Sequence, residues 1–262
     1  MSFSTILFKK SDRIAYITLN RPEALNGLTF EMMDEMNQAL ADIKNDHGIK
    51  ALVITGSGRA FSVGADINLL TGAFDNPGQM RHFLETINQL FFNIEALPVP
   101  VIAVVNGLAR AGGFELVLSC DLAIAADDAK IGDNHTNFGV MPGGGGTQRA
   151  PRKIGSQRAL ELIYTARWLT GKEAADYGIV LRSAPADTLD ESLEELLADL
   201  REKSRDCLGF VKRAVVQGEH LSLSDAIDLE IEYFLEYLTT SPDMKEGFMA
   251  YKEKRKPVFA GG

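Results

Sequence analysis

Three stretches of this chain are apolar without alternation: 50–58 (KALVITGSG), 99–107 (VPVIAVVNG) and 121–132 (DLAIAADDAKIG). A strand with one face in water alternates apolar and polar residues, whereas a strand covered on both faces does not. Each run ends in a glycine or a charged turn, so each reads as a doubly buried strand. A fourth strand, RIAYITLN at 13–20, is rich in β-formers and stops at Arg21-Pro22. A sheet buried on both faces needs helices to cover it, and between the runs the apolar period changes. Phe30, Met33, Met36, Leu40 and Ile43 recur every three or four positions, as do Phe83, Ile87, Leu90, Ile94 and Leu97. His82, beside the second stripe, reads as a surface or core-edge residue. Strands alternating with amphipathic helices specify an α/β layered fold.

Later segments are helical in pattern. TGKEAADYG opens with a capping box, Thr170 to Glu173, and Pro242 after Ser241 fits the first turn behind an N-cap. From about residue 188 no strand signal returns. The expected organisation is an α/β core over 1–190 followed by a helical region over 191–262, within the reach of 262 residues.

Charge and composition exclude several function classes. A net charge of −9 argues against nonspecific nucleic-acid binding, although a local basic patch is still able to take a phosphorylated ligand. No apolar run reaches the roughly 18 residues of a membrane span, and MSFSTILFKKSDR lacks the pattern of a signal or transit peptide. Cys120 and Cys207 form neither a disulfide framework nor a metal spacing, which fits inert thiols in a reducing cytoplasm. The four histidines include no HExxH, and no metal is expected.

Three glycine-bearing stretches remain to be explained. GSGRAFSVGADI (56–67) follows a strand, but Phe61 occupies the third glycine position of a dinucleotide fingerprint. No Gly-Lys-Ser/Thr is present, and Ala60 stands where a nucleophile elbow around Ser62 needs glycine. What remains is a loop whose backbone N–H groups meet an anion or a carbonyl oxygen. In VVNGLARAGGFELVLSCD (104–121), Gly112 and Gly113 precede an apolar helical run, where free N–H groups are able to stabilise an oxyanion. Glu115 in the first turn either works in that site or only complements the helix dipole. In GVMPGGGGTQR (139–149), four consecutive glycines serve neither packing nor helix propensity and point to a tight loop beside a ligand or another backbone.

Together these blocks, with LNRPEALNGL, LTGKEAADYGIV and EGFMAYKEKRKP, resemble in order and spacing the crotonase superfamily, the enoyl-CoA hydratase/isomerase family, over roughly residues 10–257. The resemblance implies a crotonase-like β-α spiral core and C-terminal helices that pack chains into homotrimers, often hexamers. It implies an acyl-CoA thioester as substrate, with coenzyme A part of that substrate and no separate cofactor, and a place in fatty acid metabolism. By the same resemblance the CoA adenine meets backbone near Glu23, Ala24 and Leu25 and near Gly64 to Asp66. Lys254 of KEKRKP reaches CoA phosphates, unless that segment is only a solvated tail. The oxyanion hole falls on the N–H groups of Ala65 and Gly112, each such donor being worth on the order of 10²–10³ in rate, and Ser62 is then structural.

The same template carries two glutamates. One position is Glu115. The other lies seven residues before Pro142, and there this chain has His135. A histidine is able to replace a carboxylate as an acid/base near neutral pH. Asp133 and Asn134 stand close enough in sequence to orient the imidazole or to substitute for the missing carboxylate. The leading expectation is water addition to, or removal from, a 2-enoyl-CoA, with Glu115 as main acid/base and His135 as auxiliary group. The rivals are a β-diketone hydrolase using His135, an acyl-CoA-binding protein with a relaxed site, and a serine hydrolase using Ser62.

Overall fold

The computed structural model describes residues 3–260. Strands β1 (Ile6–Ser11), β2 (Ile14–Leu19), β3 (Ala51–Gly56), β5 (Val101–Val105), β7 (Leu122–Ala126) and β9 (Arg182–Ala184) form one sheet in the order β1-β2-β3-β5-β7-β9. Only the β1–β2 pair is antiparallel; the rest of the sheet is parallel. Strands β4 (Ala60–Ser62), β6 (Leu108–Arg110) and β8 (Lys130–Gly132) form a second, all-parallel sheet in the order β4-β6-β8. The chain therefore advances in turns of a spiral. Each of β3, β5 and β7 in the large sheet is followed by one short strand in the small sheet.

The three apolar runs become β3, β5 and β7, with Leu52, Ile54, Val101, Ile102, Ala103 and Ile124 fully buried. The 121–132 run is not one strand, as its composition implies. It breaks at Asp127-Asp128, where Ala129 N–H donates to Ala126 O at 3.0 Å, and its second half joins the small sheet as β8. Charged residues in mid-run end the first pairing. Strand β1 is unannounced in the sequence because its hairpin turns on Asp12-Arg13, both at positive φ (48° and 65°), without the Asn-Gly that usually marks such a turn.

Helix α1 (Phe30–Asn45) is capped by the Thr29 hydroxyl and buries Met32, Met33, Met36, Ala39, Leu40 and Ile43. Helix α2 (Ile67–Ala73) leads to α3 (Pro77–Glu95), which buries Phe83, Ile87, Leu90, Phe91 and Ile94 and packs against α1. His82 is exposed and stacks on Phe30 with ring centroids 5.2 Å apart. Helices α4 (Gly112–Leu118), α5 (Gly146–Ile154), α6 (Ser156–Thr165) and α7 (Gly171–Tyr177) follow, α7 opened by the Thr170–Glu173 capping box. From Leu189 onward the elements are α8 (Leu189–Arg201), α9 (Arg205–Gly218), α10 (Leu223–Thr240) and α11 (Asp243–Glu253). Pro242 sits at the N-cap of α11 rather than in its first turn, and the Ser241 hydroxyl accepts the Asp243 N–H at 3.4 Å.

Two buried cations tie α9 to the core. Lys212 Nζ pairs with Asp121 at 2.8 Å and donates to Ile94 O at 3.0 Å, while Arg205 Nε donates to Ile49 O at 2.9 Å. On α10 an apolar row of Leu223, Ile227, Ile231, Phe234 and Leu238 lies exposed in the single chain.

Helix α4 lies hard against β4. A methyl group on Gly113 would come 2.0 Å from Ser62 O. Gly113→Ala is therefore expected to destabilise the fold by about 3 kcal/mol or more, the upper end of overpacking effects. Thermal unfolding at matched protein concentration measures it, and an unchanged midpoint would contradict this packing.

Candidate active site

The small sheet delivers three loops to one place: residues after β4, residues after β6, and residues after β8. The first two touch. Gly64 has φ +87°, and a Cβ there would stand 2.4 Å from Gly112 N, so a side chain is excluded both by backbone conformation and by contact. The Gly112 Cα side faces Ala65, a built Cβ reaching 3.4 Å from Ala65 N. Neither the Ala65 nor the Gly112 N–H donates to a backbone carbonyl among the described residues. Ala111, just before Gly112, holds a positive φ of 49°, a strain of roughly 1–3 kcal/mol for a non-glycine residue. Its N–H donates to Asp133 O at 2.9 Å, which ties the second loop to the third. Ser62 is fully buried; its hydroxyl donates to Asn26 O at 2.8 Å and accepts the Gly64 N–H at 3.1 Å, so it braces the loop.

Glu115, in the first turn of α4, is 1% exposed. Its Oε1 accepts the N–H of Gly144 at 2.9 Å and of Gly146 at 2.8 Å. This explains the glycine at 144: a Cβ there would sit 2.5 Å from Glu115 Oε2. The loop is held from outside by Arg149, which donates to Gly144 O at 3.0 Å and pairs with Glu95, and by Asn88, which donates to Gly143 O at 2.8 Å. Burial raises the Glu115 pKa. The charge of His135 and the two loop N–H bonds oppose the rise, the charge of Asp133 adds to it, and the net direction is up.

His135 opens a short 3₁₀ turn, His135–Phe138, and its side chain is 15% exposed. Its Nδ1 lies 2.9 Å from Asp133 Oδ1. With a carboxylate as acceptor, the network assigns the proton to Nδ1 and leaves Nε2 free. Burial alone would lower the imidazole pKa. The hydrogen bond and charge of Asp133 and the charge of Glu115 outweigh burial and the opposing Arg110, and the pKa is raised. Asp133 Oδ2 is buried without a hydrogen-bond partner. A Cβ built on Gly146 would lie 2.9 Å from that oxygen and 3.0 Å from Glu115 Oε1, so the two carboxylates flank the same backbone atom. Asn134 is turned elsewhere: it is left-handed (φ 58°) and its amide donates to Ala166 O.

The structure thus brings Ala65, Gly112, Glu115 and His135 together. It also stitches the Glu23-Ala24-Leu25 segment to Gly64–Asp66, through Val63 N–H to Leu25 O at 3.2 Å and Leu28 N–H to Gly64 O at 2.7 Å. Asp66 caps α2 and pairs with Arg21 at 2.9 Å. Lys254 is not brought to this loop within one chain: it ends α11, which packs on α9 and α10. Sequence reasoning missed Arg149 and Asn88, whose signal is only their nearness to glycine carbonyls in space. Burial pushes the Cys120 thiol up to about 12 and makes it inert. Among the described residues there is no group of three or more His, Cys, Asp or Glu side chains able to hold a metal ion, and no helix is long and apolar enough to cross a membrane.

The family description "Enoyl-CoA hydratase/isomerase" matches residues 9–262. The chain belongs to the enoyl-CoA hydratase/isomerase family. A protein of Mycobacterium tuberculosis named probable enoyl-CoA hydratase echA8 is 38% identical, with 99% of each chain covered. The short-chain-enoyl-CoA hydratase of Clostridium acetobutylicum is 34% identical over 98% of this chain and 97% of its own. The crystal structure of an enoyl-CoA hydratase from Bacillus anthracis superposes with a TM-score of 0.93 at 35% identity, covering 99% of this chain and 100% of that one. The fold is the crotonase-like spiral of this family.

A carboxyl whose pKa is raised on folding holds its proton more tightly in the native state, so stability falls as pH rises from about 4.5 through the folded value and is level above it. Glu115→Gln keeps an acceptor for the loop N–H groups and removes this titration. Its melting temperature relative to wild type is expected to climb across that window and then plateau at a higher value. A difference independent of pH would contradict the burial of an ionised Glu115.

Proposed function

We propose that the protein is an enoyl-CoA hydratase, adding water to a 2-enoyl-CoA or removing it from the 3-hydroxyacyl-CoA. The observation that carries the reading is the pair of uncommitted N–H groups, Ala65 and Gly112, beside a buried Glu115 that is near enough to His135 for each charge to act on the other. The relatives named as hydratases support it.

In the hydration direction the thioester oxygen accepts both N–H bonds. Water oxygen bonds to the β-carbon as the π electrons move to the α-carbon and the carbonyl, and the oxyanion donors take up the developing charge. The Glu115 carboxylate accepts a proton from that water, a task suited to a carboxyl whose pKa burial has raised. The His135 imidazolium gives its Nε2 proton to the α-carbon, and the proton on Glu115 then resets the imidazole. The Glu23–Leu25 and Gly64–Asp66 backbone takes the CoA adenine. The basic segment around Lys254 reaches CoA phosphates of a neighbouring copy.

That last assignment needs an assembly. The exposed apolar row on α10 and the exposed Val211 and Val215 on α9 are the surface we assign to contact between chains, as trimers or dimers of trimers. The protein is assigned to the cytoplasm, its two cysteines being free.

With purified protein, crotonyl-CoA or a longer or aromatic enoyl-CoA is expected to be hydrated, with kcat falling about 10²–10⁴-fold in Glu115→Gln. No turnover of any enoyl-CoA by wild type would refute the assignment. Light scattering after size exclusion is expected to give a trimer or hexamer, and a monomer at micromolar concentration would exclude the shared CoA site.

A further inference from the structure

We infer that Asp133 is a positioning residue: it fixes His135 with its proton on Nδ1, presents Nε2 to the reacting carbons, and with Glu115 makes a three-group array where a carboxylate pair would otherwise stand. The inference rests on the reading of His135 as an acid/base group.

The geometry is specific. Asp133 Oδ1 accepts from the His135 ring at 2.9 Å and from its backbone N–H at 3.3 Å, and the Asp133 side chain is wholly buried. The other oxygen, Oδ2, has no partner and faces the backbone atom that Glu115 Oε1 also faces. A buried, unpartnered carboxylate oxygen is destabilising, and an asparagine would serve the backbone contact without placing a second carboxylate there. What Asp133 supplies beside the imidazole is a hydrogen bond and a charge, both of which favour the imidazolium. Asn134, the other polar neighbour, is committed to Ala166 O.

The charged groups around the imidazole are Asp133 on its own loop, Glu115 from α4 and Arg110 from β6. Arg110 stacks over the Phe138 ring at 5.6 Å and weakens the imidazolium; the two carboxylates strengthen it. The Asp133 hydrogen bond and charge favour the imidazolium, the form able to donate a proton from Nε2. No bond to Asp133 forms or breaks, and it acts through the ring.

The test pairs NMR with kinetics. Of the four histidines, the His135 ring is identified in ¹⁵N-edited spectra by its loss in His135→Gln. In wild type its neutral form is expected to have the proton on Nδ1 and a pKa above the ordinary 6.5. In Asp133→Asn that pKa is expected to drop, because the charge that favours the imidazolium is gone. The alkaline limb of kcat, where the imidazolium is lost, should move down with it. At neutral pH kcat falls on the order of 10²-fold while KM changes little. A proton on Nε2 in the wild-type neutral ring, or an unshifted pKa and limb in Asp133→Asn, would overturn the inference. A purely structural Asp133 would lower the melting temperature and leave the limb in place. If no enoyl-CoA is turned over but the ring behaves as stated, the hydratase reading fails and the role of Asp133 stands. Should turnover depend on Glu115 and the ring ignore Asp133, the reverse holds.

Discussion

The site is organised around one buried carboxylate and the two backbone N–H groups that hold it. Removing an ionised carboxylate from water is unfavourable by several kcal/mol unless it is hydrogen-bonded. Glu115 meets that requirement through Gly144 and Gly146, and charge-assisted bonds of this kind are among the stronger ones available to a protein. The requirement propagates outward. The donors must approach to 2.9 Å or less, which leaves no room for a side chain on Gly144, and the resulting soft loop is stiffened by Arg149 and Asn88. Arg149 is held in turn by Glu95 at the end of α3. A single acidic residue in α4 thus excludes a side chain at Gly144, in a loop braced from two other elements.

The small sheet explains how separate loops arrive together. Its three parallel strands end on the same side, so the residues after β4, β6 and β8 emerge side by side. Contact between the first two needs a glycine at 64. The link between the second and third bends Ala111 into a positive-φ conformation, with its N–H on Asp133 O. Strain of this kind persists only where surrounding bonds over-determine it. Here it aims the Gly112 N–H and fixes Asp133 relative to it, so that N–H and the Asp133–His135 pair share one rigid frame.

Much of this was legible in the sequence because parallel, doubly buried strands leave unbroken apolar runs and because glycine clusters have few other uses. The three glycine-bearing stretches are legible that way, whereas Glu115 and His135 stand out as acid/base positions only through the family pattern. The hairpin of β1 was not legible, since Asp12-Arg13 reaches positive φ without turn residues that announce it. The junction inside 121–132 was hidden because alanine and isoleucine on both sides of Asp127-Asp128 suit either sheet. The cations that fasten α9, Lys212 and Arg205, look like ordinary surface charges until their carbonyl partners, more than a hundred residues away, are in place. Asp133 was visible as a neighbour of His135, but its burial and its unpartnered oxygen are tertiary facts.

The central claim is that one thioester lies with its oxygen on Ala65 and Gly112 and its double bond between Glu115 and His135. A crystal structure with an unreactive acyl-CoA analogue bound tests this most directly. The account predicts the carbonyl oxygen about 2.7–3.1 Å from both N–H nitrogens, with Glu115 and the Nε2 of His135 both facing the α- and β-carbons. A carbonyl oxygen bound elsewhere, or an imidazole turned away from the acyl chain, would contradict it.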